Sequence, residues 1–376
     1  MFVAPRPAPA PAVVTSLRRV HSAPPLSELT TLRLGGPATR LVDATSEDEL
    51  VALVREADAV GEPLLVLAGG SNVVVADEGF AGTVVRVASR GIEQLQRSDG
   101  RVWLDVQAGE EWDALVALCV GNGAAGIEAL SGIPGSVGAT PIQNVGAYGQ
   151  EVADVIAGVR ALDRLSGEVH ALDVEECLFD YRSSVFKRDP ARWIVLRVSF
   201  AFEPAGKSEP VRYAELARRL RIDEGQRAPL QAVRDAVLEL RRGKGMVLDP
   251  GDPDTVSAGS FFTNPILREH AFAELVGHAA ERLGRDAVPP SWPAGQRRHV
   301  KTSAAWLIEH AGFARGHGDP AGIAISTKHT LALTNRGAGT TAQLVALARE
   351  IAGGVREAFG VELVPEPVFV GHAWDG

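Results

Sequence analysis

Between Gly126 and Gln150 the chain shows neither the period of a helix nor the alternation of a strand. Glycine, proline, alanine and asparagine crowd this stretch. A connection of that length inside a compact domain is uncommon, and is usually functional. Its centre reads Leu130-Ser-Gly-Ile-Pro-Gly-Ser-Val-Gly-Ala-Thr-Pro-Ile-Gln-Asn-Val-Gly-Ala-Tyr-Gly-Gln-Glu. Gly132, Gly135, Gly138, Gly146 and Gly149 leave much of its backbone unobstructed, while Ser131, Ser136, Gln143 and Asn144 offer donors and acceptors. Such density favours a cradle for a bound cofactor over a purely structural loop.

A second glycine pair lies upstream, in Leu65-Val-Leu-Ala-Gly-Gly-Ser-Asn-Val-Val. A strand running into Gly69-Gly70 presents backbone N–H groups that can face phosphate oxygens. A plain turn reads equally well from these residues alone. No G-x-G-x-x-G opens a helix here and no Walker A motif is present, so neither a dinucleotide fingerprint nor a P-loop is expected.

The flanking texture mixes helix and strand. Ser46 with Glu49 forms a capping box ahead of a helix running to Val60. Short Val- and Leu-rich runs predict strands over 64–67, 73–75, 83–87, 102–106, 155–162 and 193–202, with a helix over 110–120. Beyond Pro204-Ala-Gly-Lys, helices are expected over 230–240, 272–283 and 340–359, and strands over 323–326, 330–334, 361–364 and 368–370. A domain boundary is placed near Pro204. Residues 1–25, rich in Pro and Ala, read as a disordered tail.

Charge and cysteine content narrow the function classes. With 38 basic against 47 acidic residues, net −9, the chain is not composed as a nucleic-acid or anionic-membrane binder. Two cysteines, Cys119 and Cys177, make neither a disulfide framework nor a thiolate metal cluster. The nine histidines contain no His-Glu-x-x-His pattern, so no essential metal is expected. No apolar run reaches the ~18 residues of a membrane span, and the N-terminus lacks the pattern of a signal peptide. The expectation is a soluble cytoplasmic protein.

The two glycine-rich segments together resemble the flavin-binding half of the UDP-N-acetylenolpyruvoylglucosamine reductase family. The likeness continues in order through Asp180-Tyr-Arg-Ser-Ser-Val-Phe-Lys, Arg242-Gly-Lys-Gly, Gly259-Ser-Phe-Phe-Thr-Asn-Pro, Ala305-Trp-Leu-Ile-Glu and Leu363-Val-Pro-Glu-Pro-Val-Phe. It spans about residues 29–371. It implies an α+β chain: a two-part FAD-binding domain of the vanillyl-alcohol-oxidase (PCMH) type over 29–203, then an α+β substrate-binding domain over 204–376. The implied reaction belongs to peptidoglycan precursor synthesis. NADPH reduces FAD, and the reduced flavin then reduces the enolpyruvyl ether of UDP-N-acetylglucosamine to UDP-N-acetylmuramate.

Residue by residue, the resemblance assigns FAD contacts to Gly69, Gly70, Ser71, Asn72, Ser131, Gly132, Ile133, Pro134, Gly135, Ser136, Gly138, Ala139, Gln143, Asn144, Gly146, Ala147 and Tyr148. Arg182 matches the family's substrate-polarising arginine, whose fork can bind a carboxylate by two hydrogen bonds. Ser260 matches its proton donor, although a serine after glycine is most often a cap. Glu366 matches its catalytic glutamate, acting with Arg182 at the enolate; by pattern alone Pro365-Glu-Pro reads as an exposed turn. Tyr213 resembles the tyrosine of a loop that closes over the substrate diphosphate. Lys244 and Asn264 resemble residues contacting the diphosphate or the nicotinamide nucleotide, and Lys244 reads equally well as a helix-terminal lysine. Thr30-Thr31-Leu32 stands where the family often has Asn-Thr-Phe or Asn-Thr-Leu, a change that leaves flavin binding in place. Ala68-Gly-Gly-Ser lacks the Gly-Gly-His of relatives with covalent flavin, so FAD is expected to be non-covalent, in a monomer. Two rivals are an oxidase of the same flavin superfamily and a non-catalytic nucleotide-sugar binding protein.

Overall fold

The computed structural model describes residues 20–21, 24–295 and 297–374. Most of the expected tail therefore lies outside the described residues. Its described piece, Val20–His21, pairs antiparallel with Leu41 and Val42.

The first layer follows from the capped helix. Ser46 accepts a hydrogen bond from Glu49 N at the start of Glu47–Val60, and Gly61 ends the helix in the left-handed region. Leu50, Val51, Leu53, Val54 and Ala57 lie on its buried face. The strands Ala38–Ala44 and Leu64–Leu67 flank Phe80–Val87, all three parallel, as a helical crossover requires.

The second layer is an antiparallel sheet in the order Glu168–Leu172, Ile156–Asp163, Trp193–Pro204, Val102–Gln107, Ile92–Leu95. Much of its long central strand alternates buried and half-buried positions, as a sheet covered on one face demands. The helix Trp112–Gly121 packs here, and its fully buried Trp112 donates through Nε1 to Leu130 O, 3.2 Å away. That bond fixes the entry to the glycine-rich loop. The loop itself holds only two short 3-10 turns, Glu128–Leu130 and Val137–Ala139, and the two-residue strands Gly146–Ala147 and Gln150–Glu151.

The C-terminal part gathers Glu269–Leu283, Ala304–His310 and Thr341–Phe359 over two small antiparallel sheets, with Phe261 and Phe262 fully buried among them. This core also takes in Leu32, Leu34 and Val74 from the start of the chain. Two further ties join the same regions. Val368–Val370 adds in parallel to Val73–Val75. Asp77 accepts from Thr341 N (2.7 Å) and Ala342 N (2.9 Å), an anion at a helix N-terminus.

The expected strands over 64–67, 73–75 and 368–370 form at those bounds. The one expected over 361–364 does not. Pro365 and Pro367 lack the N–H groups that would extend a ladder, and the segment makes only isolated bonds such as Thr263 N to Val364 O. The strand expected over 330–334 is confined to Leu333–Asn335, because His329 to Ala332 form a turn.

The close approach of Gly70 to the Leu29 carbonyl sets a stability test. A Cβ on Gly70, at φ 60°, would stand 1.8 Å from Leu29 O. Gly70→Ala is expected to lower unfolding stability by about 2 kcal/mol or more. Gly243→Ala, at a helical glycine with open space around it, should raise it by about 0.5–1 kcal/mol. Denaturant unfolding of the two variants checks the opposite signs.

Candidate active site

The two glycine-rich turns meet backbone to backbone. A Cβ on Gly69 would lie 2.6 Å from Gly135 Cα, so neither turn tolerates a side chain at the contact. Among the described residues, the N–H groups of Gly69, Gly70, Ser71, Gly135 and Ser136 donate to no acceptor. Ser136 Oγ is also buried without a partner. Facing donors left unpaired make a nest for an anionic group.

The other predicted polar side chains of the loop brace it. Ser131 Oγ donates to Glu128 O (2.7 Å), and the buried Glu128 carboxylate accepts from Gly126 N and Gln150 Nε2. Gly132 N is held by Asp113 Oδ1 (2.6 Å), and Gly138 is pressed against Ala108. Gln143 Oε1 accepts from Asn72 Nδ2 (2.8 Å), while Asn144, at φ 45°, donates to Glu151 Oε2 (2.7 Å). Ile133, Pro134, Ala139, Gly146, Ala147 and Tyr148 are half-buried along the same loop.

Asn72 joins three distant stretches. Its side chain also donates to Glu366 O (3.3 Å), and its carbonyl accepts from Val368 N (2.9 Å). Glu366 N in turn donates to Phe261 O (2.8 Å), next to Ser260. Arg182 Nε lies 3.3 Å from Glu366 Oε1, and its other nitrogens donate to Asn144 O (3.1 Å) and Gly146 O (2.5 Å). Arg182 and Glu366 are thus in direct contact, with Ser260 on the strand-like segment paired to Glu366. Contrary to the exposed-turn pattern, the Glu366 side chain is only 13% exposed, since the chain after Pro365 runs inward to pair with Val73–Val75. Burial raises its carboxyl pKa above the ordinary range, against the opposing pull of Arg182 and Lys187. Ser260 caps nothing: its hydroxyl has no hydrogen bond among the described residues.

The substrate-side predictions form a second group. Tyr213, 45% exposed, meets Tyr148 edge-on at 5.4 Å between ring centroids. Burial pushes the Tyr148 phenol up to about 12. Lys244 follows its helix end and pairs with Glu215 at 2.6 Å, its ammonium 5.7 Å from the Tyr148 ring centroid. Asn264 Oδ1 accepts from Ala304 N (3.0 Å), and its side chain lies near the Tyr181 phenol. Tyr181 also carries Arg182 and Lys301 over its ring, at 5.5 and 4.6 Å. Sequence reasoning gave no role to Tyr181, Lys187 or Lys301. The first two flank Arg182 in one motif, a usable signal; Lys301 has none.

A sequence profile described as "FAD binding domain" matches residues 38–173, and one described as "UDP-N-acetylenolpyruvoylglucosamine reductase, C-terminal domain" matches 252–370. The chain is 58% identical to the UDP-N-acetylenolpyruvoylglucosamine reductase of Streptomyces coelicolor, over 95% of this chain and 91% of that one. It is 57% identical to the enzyme so named from Thermobifida fusca, over 92% and 97%. The chain belongs to the UDP-N-acetylenolpyruvoylglucosamine reductase family. A crystal structure of the Thermus caldophilus reductase aligns with a TM-score of 0.60 at 25% identity, covering 94% of this chain and 99% of that one. The protein is accordingly an FAD-dependent oxidoreductase of that family, and its nest of unpaired N–H groups suits the cofactor's diphosphate.

Asn72 offers the direct test of how this family member holds its site together. Asn72→Ala leaves Gln143 Oε1 and the Glu366 carbonyl without their donor, which should cost about 1–3 kcal/mol. The urea midpoint is expected to fall while far-ultraviolet circular dichroism stays native.

Proposed function

We propose that the protein reduces the enolpyruvyl ether of UDP-N-acetylglucosamine to UDP-N-acetylmuramate with NADPH, a step in peptidoglycan precursor synthesis in the cytoplasm. The observation that carries this reading is the enclosed Arg182–Glu366 pair at 3.3 Å beside the glycine-rich cradle. FAD, which the backbone of Gly69 to Ser71 and of Gly135 and Ser136 would hold, would supply the hydride chemistry between NADPH and the methylene carbon of the enol ether. The chain's own residues must then manage an anion and a proton.

Arg182 presents a permanent cation to the substrate carboxylate and to the negative charge that builds on the adjacent carbon. Its two backbone acceptors leave it aimed without rotamer freedom. Glu366, whose carboxyl pKa is raised by burial, donates a hydrogen bond to the same developing charge in its protonated form. Ser260 Oγ–H supplies the proton to the carbon bearing the carboxylate. Tyr213, Lys244 and Asn264 take the diphosphate and nucleotide, with Tyr213 closing from its exposed position. The division of labour falls near residue 204: the cofactor is held mainly by 29–203 and the sugar nucleotide mainly by 204–376, in a monomer.

Anaerobic stopped-flow measurement of flavin absorbance tests the whole reading. Bleaching by NADPH followed by recovery on adding the enolpyruvyl nucleotide sugar is expected. Bleaching without recovery would discard the substrate, and reoxidation by oxygen alone would favour an oxidase. Ser260→Ala should leave bleaching intact and slow recovery by at least ~10²-fold. Residues 68–71 also contain no side chain suited to a covalent flavin link. Acid precipitation is expected to release all the yellow colour into the supernatant; colour retained in the pellet would mean a covalent bond.

A further inference from the structure

Lys187 has no part in the mechanism above, yet it bonds to the backbone of Arg182 and its charge acts on the Glu366 carboxyl. It sits on the short helix Val185–Arg188, seated by Ser184, which accepts from Lys187 N (3.3 Å) and donates to Ile142 O (2.5 Å). From there Lys187 Nζ donates to Arg182 O at 3.0 Å. Arg182 itself has φ 52°, a left-handed conformation that residues with side chains seldom adopt. A conformation of that kind persists where its surroundings over-determine it. Here one ammonium pins the carbonyl, while Asn144 O, Gly146 O and Glu366 pin the guanidinium.

We propose that Lys187 is a positioning residue for the reaction: its ammonium holds the carbonyl of Arg182 in the turn that aims the guanidinium at Glu366, and stands as the second cation beside that carboxyl. This inference rests on the function proposed above.

The electrostatic arrangement supports it. Burial pulls the Lys187 ammonium below its ordinary pKa, and the charge of Glu366 opposes that pull. Glu366 is faced by Arg182, Lys187 and the Tyr181 phenol from one segment, and by the neutral amide of Asn72 from another. A lysine that only decorated the surface would stand in water, without a carbonyl partner or a buried carboxyl as neighbour.

The test measures both half-reactions of the holoenzyme across pH. Lys187→Met keeps the stem and removes the charge. Bleaching by NADPH should stay within about twofold of the unaltered protein, since it does not require an aimed Arg182. Recovery by the enolpyruvyl nucleotide sugar should slow by about 10–10²-fold, the scale of a misaligned catalytic group. Protonated Glu366 is lost as pH rises through its pKa, and removing a neighbouring cation raises that pKa. The alkaline limb of the recovery rate is therefore expected to move up by about one pH unit. Lys187→Arg should hold the limb where the unaltered protein has it, and in a Glu366→Gln background, which removes that limb, adding Lys187→Met should leave the shape of the pH profile unchanged. A Lys187→Met enzyme with the original rate and limb overturns the proposal. So does an equal loss of rate in Lys187→Met and Lys187→Arg with the limb unmoved, which would mean a packing role alone. Failure of the unaltered protein to recover would instead overturn the proposed function.

Discussion

The parallel seating of Val368–Val370 on Val73–Val75 is the constraint on which the site depends. It returns the last segment of the chain to the turn that follows Gly69-Gly70, more than 290 residues earlier in sequence. Asn72 sits where the two meet and bonds to Gln143 and to the carbonyl of Glu366. One side chain therefore holds the Gly69-Gly70 turn, the glycine-rich loop and the Glu366 segment in a common frame. Contacts so distant along the chain are costly in loop entropy until they form, and they order a large loop once they have. The anchoring of the Thr341–Phe359 helix by Asp77 reinforces the same join.

Within that frame the buried charges decide the chemistry. A carboxylate taken out of water is unfavourable unless cations and hydrogen bonds repay the desolvation. Glu366 meets this condition only in part: two cations draw its pKa down, yet burial still leaves it raised. A group balanced between those pulls can keep a proton that an exposed glutamate would lose. Arg182, by contrast, is charged whatever its surroundings, and its neighbours act on its direction. The pair thus sets a fixed cation 3.3 Å from a carboxyl whose pKa burial raises.

Much of this could be read from the chain alone because local signals agreed with the final structure. Ser46 and Glu49 announced a helix start, and Val- and Leu-rich runs bounded by glycine announced strands that formed at the same positions. The motif around Arg182 pointed to a residue that the fold does place against Glu366. What failed were signals that depend on distant partners. Pro365-Glu-Pro looks exposed because local pattern carries no trace of the Val73–Val75 strand that pulls it inward. Nor does local pattern show that Asn72, far upstream, donates to Gln143. Lys301 was silent altogether, since only the folded sheet brings it over Tyr181.

The net charge of −9 and the ligands proposed for this site are at first sight opposed, because every ligand is an anion. Distribution resolves the conflict. Arg182, Lys187, Lys244 and Lys301 converge on the loop and on Tyr148 and Tyr181, while Arg241 lies buried close to Gly132, with one bond to Met246 O and its Nε unpartnered. Cations gathered in a low-dielectric cleft concentrate their field there, and acidic groups spread over the outer surface are screened within about 10 Å at ordinary salt. Some of these cations already have acceptors, Lys244 the Glu215 carboxylate and Arg182 the carbonyls of Asn144 and Gly146. An incoming diphosphate or carboxylate must therefore compete with those partners for the same cations. Selectivity then follows from geometry, because only a ligand that can take the place of those acceptors recovers the interactions that binding disrupts.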